Sequence, residues 1–206
     1  MLDRYALKLL RPAIETTARQ AWRIGLTADT ATLIGFGFGM AAAGLVASGH
    51  VLLAVVPLIL NRALDGLDGA LARLSRVTDR GAFLDIGLDF VFYAAIPLAF
   101  AICDPAANAL AAAVLLAAFL GTGTSFLAFA VIAEKRGLKS TAYPSKSFYY
   151  LGGLTEGTET ILCFLAMCLW PAHFAGIAMF YAALCCVTTA TRLIAGWHMF
   201  GADEKR

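Results

Sequence analysis

Six long apolar stretches, separated by short breaks, constrain the fold of this chain more than any other feature. A helix crosses a bilayer with about 20 consecutive apolar residues, and the sequence approaches that length six times. We predict spanning helices at about 30–48, 50–73, 82–103, 106–133, 148–170 and 172–199. Of the 206 residues, 60% are hydrophobic and only 15% are charged, which excludes an ordinary soluble domain with a charged surface. We therefore expect an all-α fold that forms one integral membrane domain over residues 1–206.

Lysine and arginine are concentrated on one side of this predicted bundle. They lie in the N-terminal region and in the connections after the second and fourth segments, whereas the breaks at 48–50, 104–105 and 170–171 hold none. Loops rich in Lys and Arg stay in the cytoplasm. We therefore expect both termini and the charged loops to be cytoplasmic, in a bacterial-type inner or plasma membrane. The net charge of +2 is too small to indicate nucleic-acid binding.

Residues 3–24 have the pattern of a helix that lies on the membrane surface. Leu7, Leu10 and Ile14 fall on one face, and Trp22 is suited to the boundary between lipid and water. Six charged residues recur every three or four positions and share another face: Arg4, Lys8, Arg11, Glu15, Arg19 and Arg23. We predict an interfacial amphipathic helix; a helix packed on the protein's own core is the alternative.

Four aspartates on two neighbouring segments carry the clearest chemical signal. Asp65 and Asp68 are three residues apart, and Asp85 and Asp89 are four apart, so each pair lies on one helix face. The charged loop between the two segments makes them an antiparallel hairpin. Asp65 and Asp89 are equally far from its turn, and so, within one residue, are Asp68 and Asp85. We predict that all four carboxylates face one another, a turn or two below the cytoplasmic surface.

Carboxylates at membrane depth are costly unless something compensates their charge. Four oxygen donors on two rigid helices suit Mg²⁺ or Mn²⁺, as a pair of ions, and such ions commonly serve phosphates. Gly69 and Ala72 leave space beside the carboxylates for a nucleotide. A structural ion-pair network with Arg62 and Arg73 is one alternative. A divalent-cation transporter or channel is another, and it would require acids distributed through the whole depth of the membrane.

The aspartate-rich stretch closely resembles the signature of the CDP-alcohol phosphatidyltransferases. That signature reads D-x-x-D-G-x-x-A-R, a short spacer, and G-x-x-x-D-x-x-x-D. Every fixed position is filled here: Asp65, Asp68, Gly69, Ala72, Arg73, Gly81, Asp85 and Asp89. The one departure is the spacer, which has seven residues where eight are more usual. The resemblance extends to six spans preceded by an interfacial helix, so it covers most of the chain.

This resemblance implies an activity and a set of residue roles. It implies transfer of a phosphatidyl group from CDP-diacylglycerol to the hydroxyl of a small polar alcohol, with release of CMP, in phospholipid biosynthesis. It also implies two divalent ions and a homodimer. The implied metal ligands are Asp65, Asp68, Asp85 and Asp89, with Asp89 also the general base, and the implied CDP site comprises Asp65, Asp68, Gly69, Ala72 and Arg73.

A second, weaker match lies at the start of the first span. The family tends to carry Pro-Asn/Asp-x-x-Thr there, and this chain has Asp29 and Thr32 in the matching positions but lacks the proline. The resemblance therefore adds both residues to the CDP site. For Asp29, a role as helix N-cap is the alternative.

The acceptor side is described less clearly by the sequence. Glu156 and Glu159 in the fifth segment and Arg192 in the sixth form either a structural pair or an acceptor pocket. The resemblance also makes Lys135, Arg136 and Lys146 candidates, although each can equally be a solvated residue of a cytoplasmic loop. Basic residues favour a phosphorylated acceptor, whereas the two glutamates favour a neutral or cationic one. The acceptor is therefore left open.

Overall fold

The computed structural model describes residues 3–138 and 153–201, with side chains from Arg11 onward. Seven α-helices follow one another in these ranges: α1 Asp3–Arg23, α2 Ala28–Ala47, α3 Val55–Leu74, α4 Asp79–Cys103, α5 Pro105–Lys135, α6 Gly157–Leu169 and α7 Phe174–Gly201. Short 3₁₀ turns at Val51–Ala54 and Pro171–His173 precede α3 and α7. Within the described ranges every regular element is helical, which confirms the predicted all-α class.

Four helices have the length and composition of membrane spans. They are α2, α4, α5 and α7, the last counted from Pro171. The second predicted span corresponds to α3, a helix of 20 residues that carries two arginines and two aspartates. The fifth corresponds to α6, which has 13 residues. The protein is therefore an integral membrane protein with four apolar spans in the described residues, and two of the six predicted spans are not of this type.

The fifth predicted segment begins later than expected. Its first residues, 148–152, lie outside the described residues, and residues 153–156 are not helical before α6 begins at Gly157. Glu156 folds back, and its Oε1 accepts a hydrogen bond of 3.1 Å from the backbone N–H of Gly153. This contact closes a turn at the point where a continuous helix was predicted.

Polar side chains fix the starts of three helices. Thr27 caps α2 by accepting a hydrogen bond from the N–H of Thr30, and Thr78 caps α4 in the same way through Gly81. Asp104 caps α5, so the predicted break at 104–105 is confirmed. Because Thr27 is the cap of α2, the interpretation of Asp29 as an N-cap is wrong; Asp29 lies in the first turn of the helix.

The helices pack as a chain of neighbours around an apolar core. α2 packs against both α3 and α4, α4 packs against α5, and α5 packs against α7. The core includes Phe92 and Phe100 of α4, Phe164 of α6 and Phe174, all essentially inaccessible to solvent. Phe92 and Phe100 follow Asp89 along α4, so this part of the core lies farther from the α3–α4 turn than the aspartates.

The N-terminal helix α1 packs against α3. Ala18 and Ala21 are buried in a small cluster with Leu67, Ala70 and Leu71. On the exposed side, Arg11 donates to Glu15 at 2.7 Å. The packing brings α1 to the part of α3 that carries Asp65 and Asp68. It agrees with the alternative that one face of this helix packs on the protein's own core.

Candidate active site

The α3–α4 hairpin brings three aspartates together, as their register predicts. Carboxylate oxygens of Asp65, Asp85 and Asp89 all lie within 4.8 Å of one another. Each side chain is partly buried. Asp65 projects from α3, and Asp85 and Asp89 project from successive turns of α4. The predicted convergence of acids from the two helices is therefore confirmed for these three carboxylates.

The fourth aspartate has a partner from a third helix. Thr32 Oγ1 on α2 donates a hydrogen bond of 2.6 Å to Oδ2 of Asp68. Asp68 is buried, with 7% of its surface exposed, and it lines the same cleft as the other three acids. Thr32 was expected in the CDP site, and the structure places its hydroxyl directly on one of the predicted metal ligands.

Small residues on α2 allow the three helices to approach closely enough for these contacts. A Cβ added at Gly35 would lie 3.1 Å from Leu64 Cβ, and one at Gly39 would lie 2.6 Å from the ring of Phe92. Asn61 Nδ2 bridges the same interface by donating to the carbonyl oxygen of Gly35 at 2.9 Å. Asn61 is buried and follows an apolar stretch of α3. A polar residue in that position is the sequence signal that would have predicted a contact between helices.

One arginine contacts the aspartate cluster directly. Arg62 Nη1 lies 2.8 Å from Asp65 Oδ2, three residues along the same helix. Arg73 is exposed, and its Nη1 lies 3.5 Å from the position that a Cβ on Gly69 would take. Of the two arginines in the alternative ion-pair network, Arg62 forms an ion pair with Asp65, and Arg73 lies beside Gly69.

The edge of the site nearest the α3–α4 turn is fixed by a contact between α2 and the start of α4. Asp29 accepts a hydrogen bond from the guanidinium of Arg80. A Cβ added at Gly81 would lie 3.1 Å from Asp29 Oδ1, so the glycine allows the two helices to meet. The sequence located Asp29 and Gly81 at the site, but it did not reveal that Arg80 joins them.

A large cavity opens beside the aspartates. Its volume is about 640 Å³, and α3, α4, α5, α7 and the turn before α6 enclose it. Its polar lining includes Arg62, Asp89, Tyr93, Glu156 and Arg192. Much of the remaining wall is apolar and comes from α4 and α5. A substrate in this cavity would therefore have direct access to Asp89.

Only some of the predicted acceptor residues line this cavity. Glu156 and Arg192 line the cavity, and Arg192 Nη1 donates to the carbonyl oxygen of Thr122 at 3.1 Å. Arg136 lies elsewhere: it donates to the carbonyl oxygen of Phe200 at 2.8 Å and covers that ring. The residues that line the cavity include neither Glu159 nor Lys135. Lys146 lies outside the described residues.

Comparison with known proteins agrees with this geometry. A family model described as CDP-alcohol phosphatidyltransferase matches residues 26–194. The inner membrane protein YnjF of Escherichia coli (strain K12) is 52% identical over 197 residues, which are 96% of each chain.

Two crystal structures of Mycobacterium tuberculosis phosphatidylinositol phosphate synthase (PgsA1) share the fold. The structure with CDP-DAG bound gives a TM-score of 0.70 at 24% identity, over 89% of this chain and 93% of that one. The complex with manganese and citrate gives 0.71 at 23% identity, over 89% and 88%. Since the family model spans most of the sequence, the chain belongs to the CDP-alcohol phosphatidyltransferase family and is an integral membrane transferase of phospholipid biosynthesis.

Proposed function

We propose that this protein transfers a phosphatidyl group from CDP-diacylglycerol to the hydroxyl of a small polar alcohol and releases CMP. The observation that carries the proposal is the convergence of Asp65, Asp85 and Asp89 beside a cavity large enough for a substrate. The family assignment supplies the reaction class. The fold is shared with a synthase whose structure holds CDP-DAG, which supports the choice of donor.

The aspartates fit a divalent metal centre. Oxygen ligands lie about 2.1 Å from Mg²⁺, so ligands on opposite sides of one ion are about 4 Å apart. Carboxylate oxygens within 4.8 Å of one another are close to that spacing. We propose that Asp65, Asp68, Asp85 and Asp89 hold two ions of Mg²⁺ or Mn²⁺. Bound there, divalent cations would offset the negative charge of the diphosphate during transfer.

Asp89 is the proposed general base. It belongs to the metal cluster and also lines the cavity from which an alcohol would approach. The acceptor oxygen attacks the phosphorus that carries the diacylglycerol, its proton passes to Asp89, and the bond to the CMP phosphate breaks. A hydroxyl is a poor nucleophile at neutral pH, so a positioned carboxylate is what this reaction requires.

The CDP moiety is proposed to bind at the cytoplasmic edge of the cluster. Gly69 lines the cavity beside the aspartates, and Ala72 and the exposed Arg73 follow on α3. Asp29 and Thr32 lie at the facing end of α2. The Thr32 hydroxyl holds Asp68, so its proposed role is to orient that ligand while it borders the nucleotide.

The acceptor is proposed to bind in the cavity between Asp89 and α7. Glu156 and Arg192 are supported by their place in its lining. Glu159 follows in the first turn of α6, and Lys135, Arg136 and Lys146 remain candidates only for attracting an acceptor at the cytoplasmic surface. We therefore propose that the turn before α6 and the facing part of α7 determine the specificity for the alcohol.

We further propose that α3 and α6 also cross the membrane, which gives six spans, and that α1 lies at the membrane interface. Both termini and the active site are proposed to be cytoplasmic. The basic residues that follow α3 and α5 support this orientation, as does the lack of Lys and Arg in the breaks at 48–50, 104–105 and 170–171. Membership of the family supports a homodimer.

A direct assay tests the proposed reaction. Purified protein is incubated in vesicles with CDP-diacylglycerol, Mn²⁺ and a panel of alcohols, while CMP release is followed and the lipid products are identified by mass spectrometry. We expect CMP release that requires both Mn²⁺ and one class of alcohol. Absence of CMP with every alcohol, together with Mn²⁺ flux into the vesicles, would contradict the transferase and favour a transporter.

A further inference from the structure

Arg62 brings a permanent positive charge to the edge of the aspartate cluster. It lies on α3, almost one turn before Asp65, and its Nη1 is 2.8 Å from Asp65 Oδ2. The side chain is 34% exposed and lines the cavity. A guanidinium is never deprotonated in a protein, so this charge is present at every working pH.

The guanidinium also lies close to the start of α6. A Cβ added at Gly157, the first residue of α6, would lie 3.4 Å from Arg62 Nη2 and 3.5 Å from the hydroxyl of Tyr93 on α4. Gly157 therefore leaves room for both Arg62 and Tyr93 at this end of the cavity. The carboxylate of its partner Asp65 clusters with those of Asp85 and Asp89 on α4. Arg62 thus lies close to the metal ligands of both helices in the hairpin.

A fixed cation at this place changes the charge balance of a loaded metal centre. Two divalent ions and Arg62 carry five positive charges, whereas the four aspartates carry four negative charges. One positive charge is left over beside partly buried acids, where repulsion between like charges is stronger than in bulk water. The diphosphate of a CDP-linked lipid carries two negative charges and would offset the excess. Without Arg62, the same two ions would be neutralised by the aspartates alone.

We propose that Arg62 is a built-in counter-cation that makes binding of the second divalent ion depend on the diphosphate of the donor lipid. This inference rests on the proposed metal centre and reaction. With donor absent, Arg62 repels a second ion, so that only one binds tightly. When the diphosphate arrives, it offsets the excess charge, and the centre is completed in the presence of the substrate that it serves.

The test is a titration of purified protein with Mn²⁺, in which free Mn²⁺ is measured by its electron paramagnetic resonance signal. No acceptor alcohol is present, and the titration is repeated with CDP-diacylglycerol in mixed micelles. For wild type, we expect the second ion to bind at least about tenfold more weakly without the lipid than with it. Arg62→Met should bind two ions tightly without the lipid, whereas Arg62→Lys, which keeps the charge, should behave as wild type.

Two further variants keep the result interpretable. Arg76→Met removes an exposed arginine from the connection between α3 and α4 and should leave Mn²⁺ binding unchanged. Arg62→Gln replaces the methionine variant if that protein does not elute as a folded species from size-exclusion chromatography.

Weaker Mn²⁺ binding in the uncharged variants would overturn the inference, because Arg62 would then serve to orient Asp65. Two equally tight ions in wild type without lipid would also overturn it. Wild type that binds no Mn²⁺ under either condition would contradict the proposed metal centre itself.

Discussion

The aspartates of the site do not all have the same neighbours. Asp65 is paired with Arg62, Asp68 accepts from Thr32, and Asp85 and Asp89 share one face of α4. Four acids of the same type are therefore held by three helices in distinct environments. Substitution of one acid or of its partner should consequently affect different steps.

At Asp89, the proposed role as base predicts loss of chemistry without loss of donor binding. Asp89→Asn keeps the size of the side chain but removes its capacity to take a proton, and positioned bases contribute about 10²–10⁴-fold in rate. We expect CMP release to fall by at least about 100-fold while CDP-diacylglycerol still binds. Asp79→Asn makes the same change at the exposed start of α4 and should be active. Turnover close to wild type in Asp89→Asn would remove Asp89 from this role.

At Thr32, the prediction concerns the metal rather than the base. Thr32→Val is nearly isosteric and removes the hydroxyl that donates to Asp68 and, within its own helix, to the carbonyl oxygen of Ala28. Hydrogen bonds to charged groups contribute about 1.5–3 kcal/mol, so the Mn²⁺ concentration for half-maximal activity should rise about tenfold or more. Thr191→Val, whose hydroxyl bonds only within α7 at Thr188, is the matched control. An unchanged Mn²⁺ requirement would show that Thr32 does not orient a ligand.

At the scale of the helices, the α3–α4 hairpin and the turn before α6 differ in how far the sequence determines them. The register of Asp65, Asp85 and Asp89 was predictable because it depends only on helical spacing and on the position of one turn. The partner of Asp68 was not, because it depends on how α2 packs, and Thr32 suggested a nucleotide contact instead. The start of α6 was also missed, since apolar composition does not reveal that Glu156 folds back onto Gly153.

The turn before α6 is fixed by a close approach to α7. A Cβ added at Gly153 would lie 2.5 Å from Thr188 Cγ2 and 3.1 Å from Arg192 Nη2. Gly153→Ala should therefore push the turn away and destabilise the bundle by about 1–3 kcal/mol, measured by thermal unfolding in detergent.

A second substitution separates this clash from other effects. Thr188→Ser removes the methyl group that the new Cβ would meet and keeps the hydroxyl that accepts from Thr155. The double variant should recover most of the lost stability. Gly176→Ala on α7 has open space around the added Cβ and serves as control. Failure of Thr188→Ser to rescue Gly153→Ala would show that the two residues do not limit each other.

At the scale of the whole molecule, the apolar core and the acidic site occupy different depths. The phenylalanine core of α4, α6 and α7 lies beyond Asp89, and the aspartates lie nearer the α3–α4 turn. With the proposed orientation, the diphosphate would stay near the cytoplasm while the tails of the donor remain in the bilayer. Hydropathy predicted six spans, and α2, α4, α5 and α7 have the length and composition of a span. The helices at the other two predicted positions do not, because α3 carries two arginines and two aspartates and α6 has only 13 residues.

Cysteine labelling tests the orientation. In a background in which the five native cysteines are replaced, Ser48→Cys and Ser75→Cys place single thiols at opposite ends of the helix pair α2 and α3. A membrane-impermeant maleimide should label Ser48→Cys in intact cells and label Ser75→Cys only after permeabilisation. Labelling of Ser75→Cys in intact cells would contradict a cytoplasmic active site.

The metal centre between α3 and α4 is the claim on which the mechanism depends. Its most direct test is a crystal structure with Mn²⁺ and CDP-diacylglycerol, with anomalous scattering recorded at the manganese edge. Two anomalous peaks should appear between the two helices, ligated by Asp65, Asp68, Asp85 and Asp89 and in contact with the diphosphate. Diphosphate bound elsewhere, or a site between these helices without manganese, would contradict the mechanism.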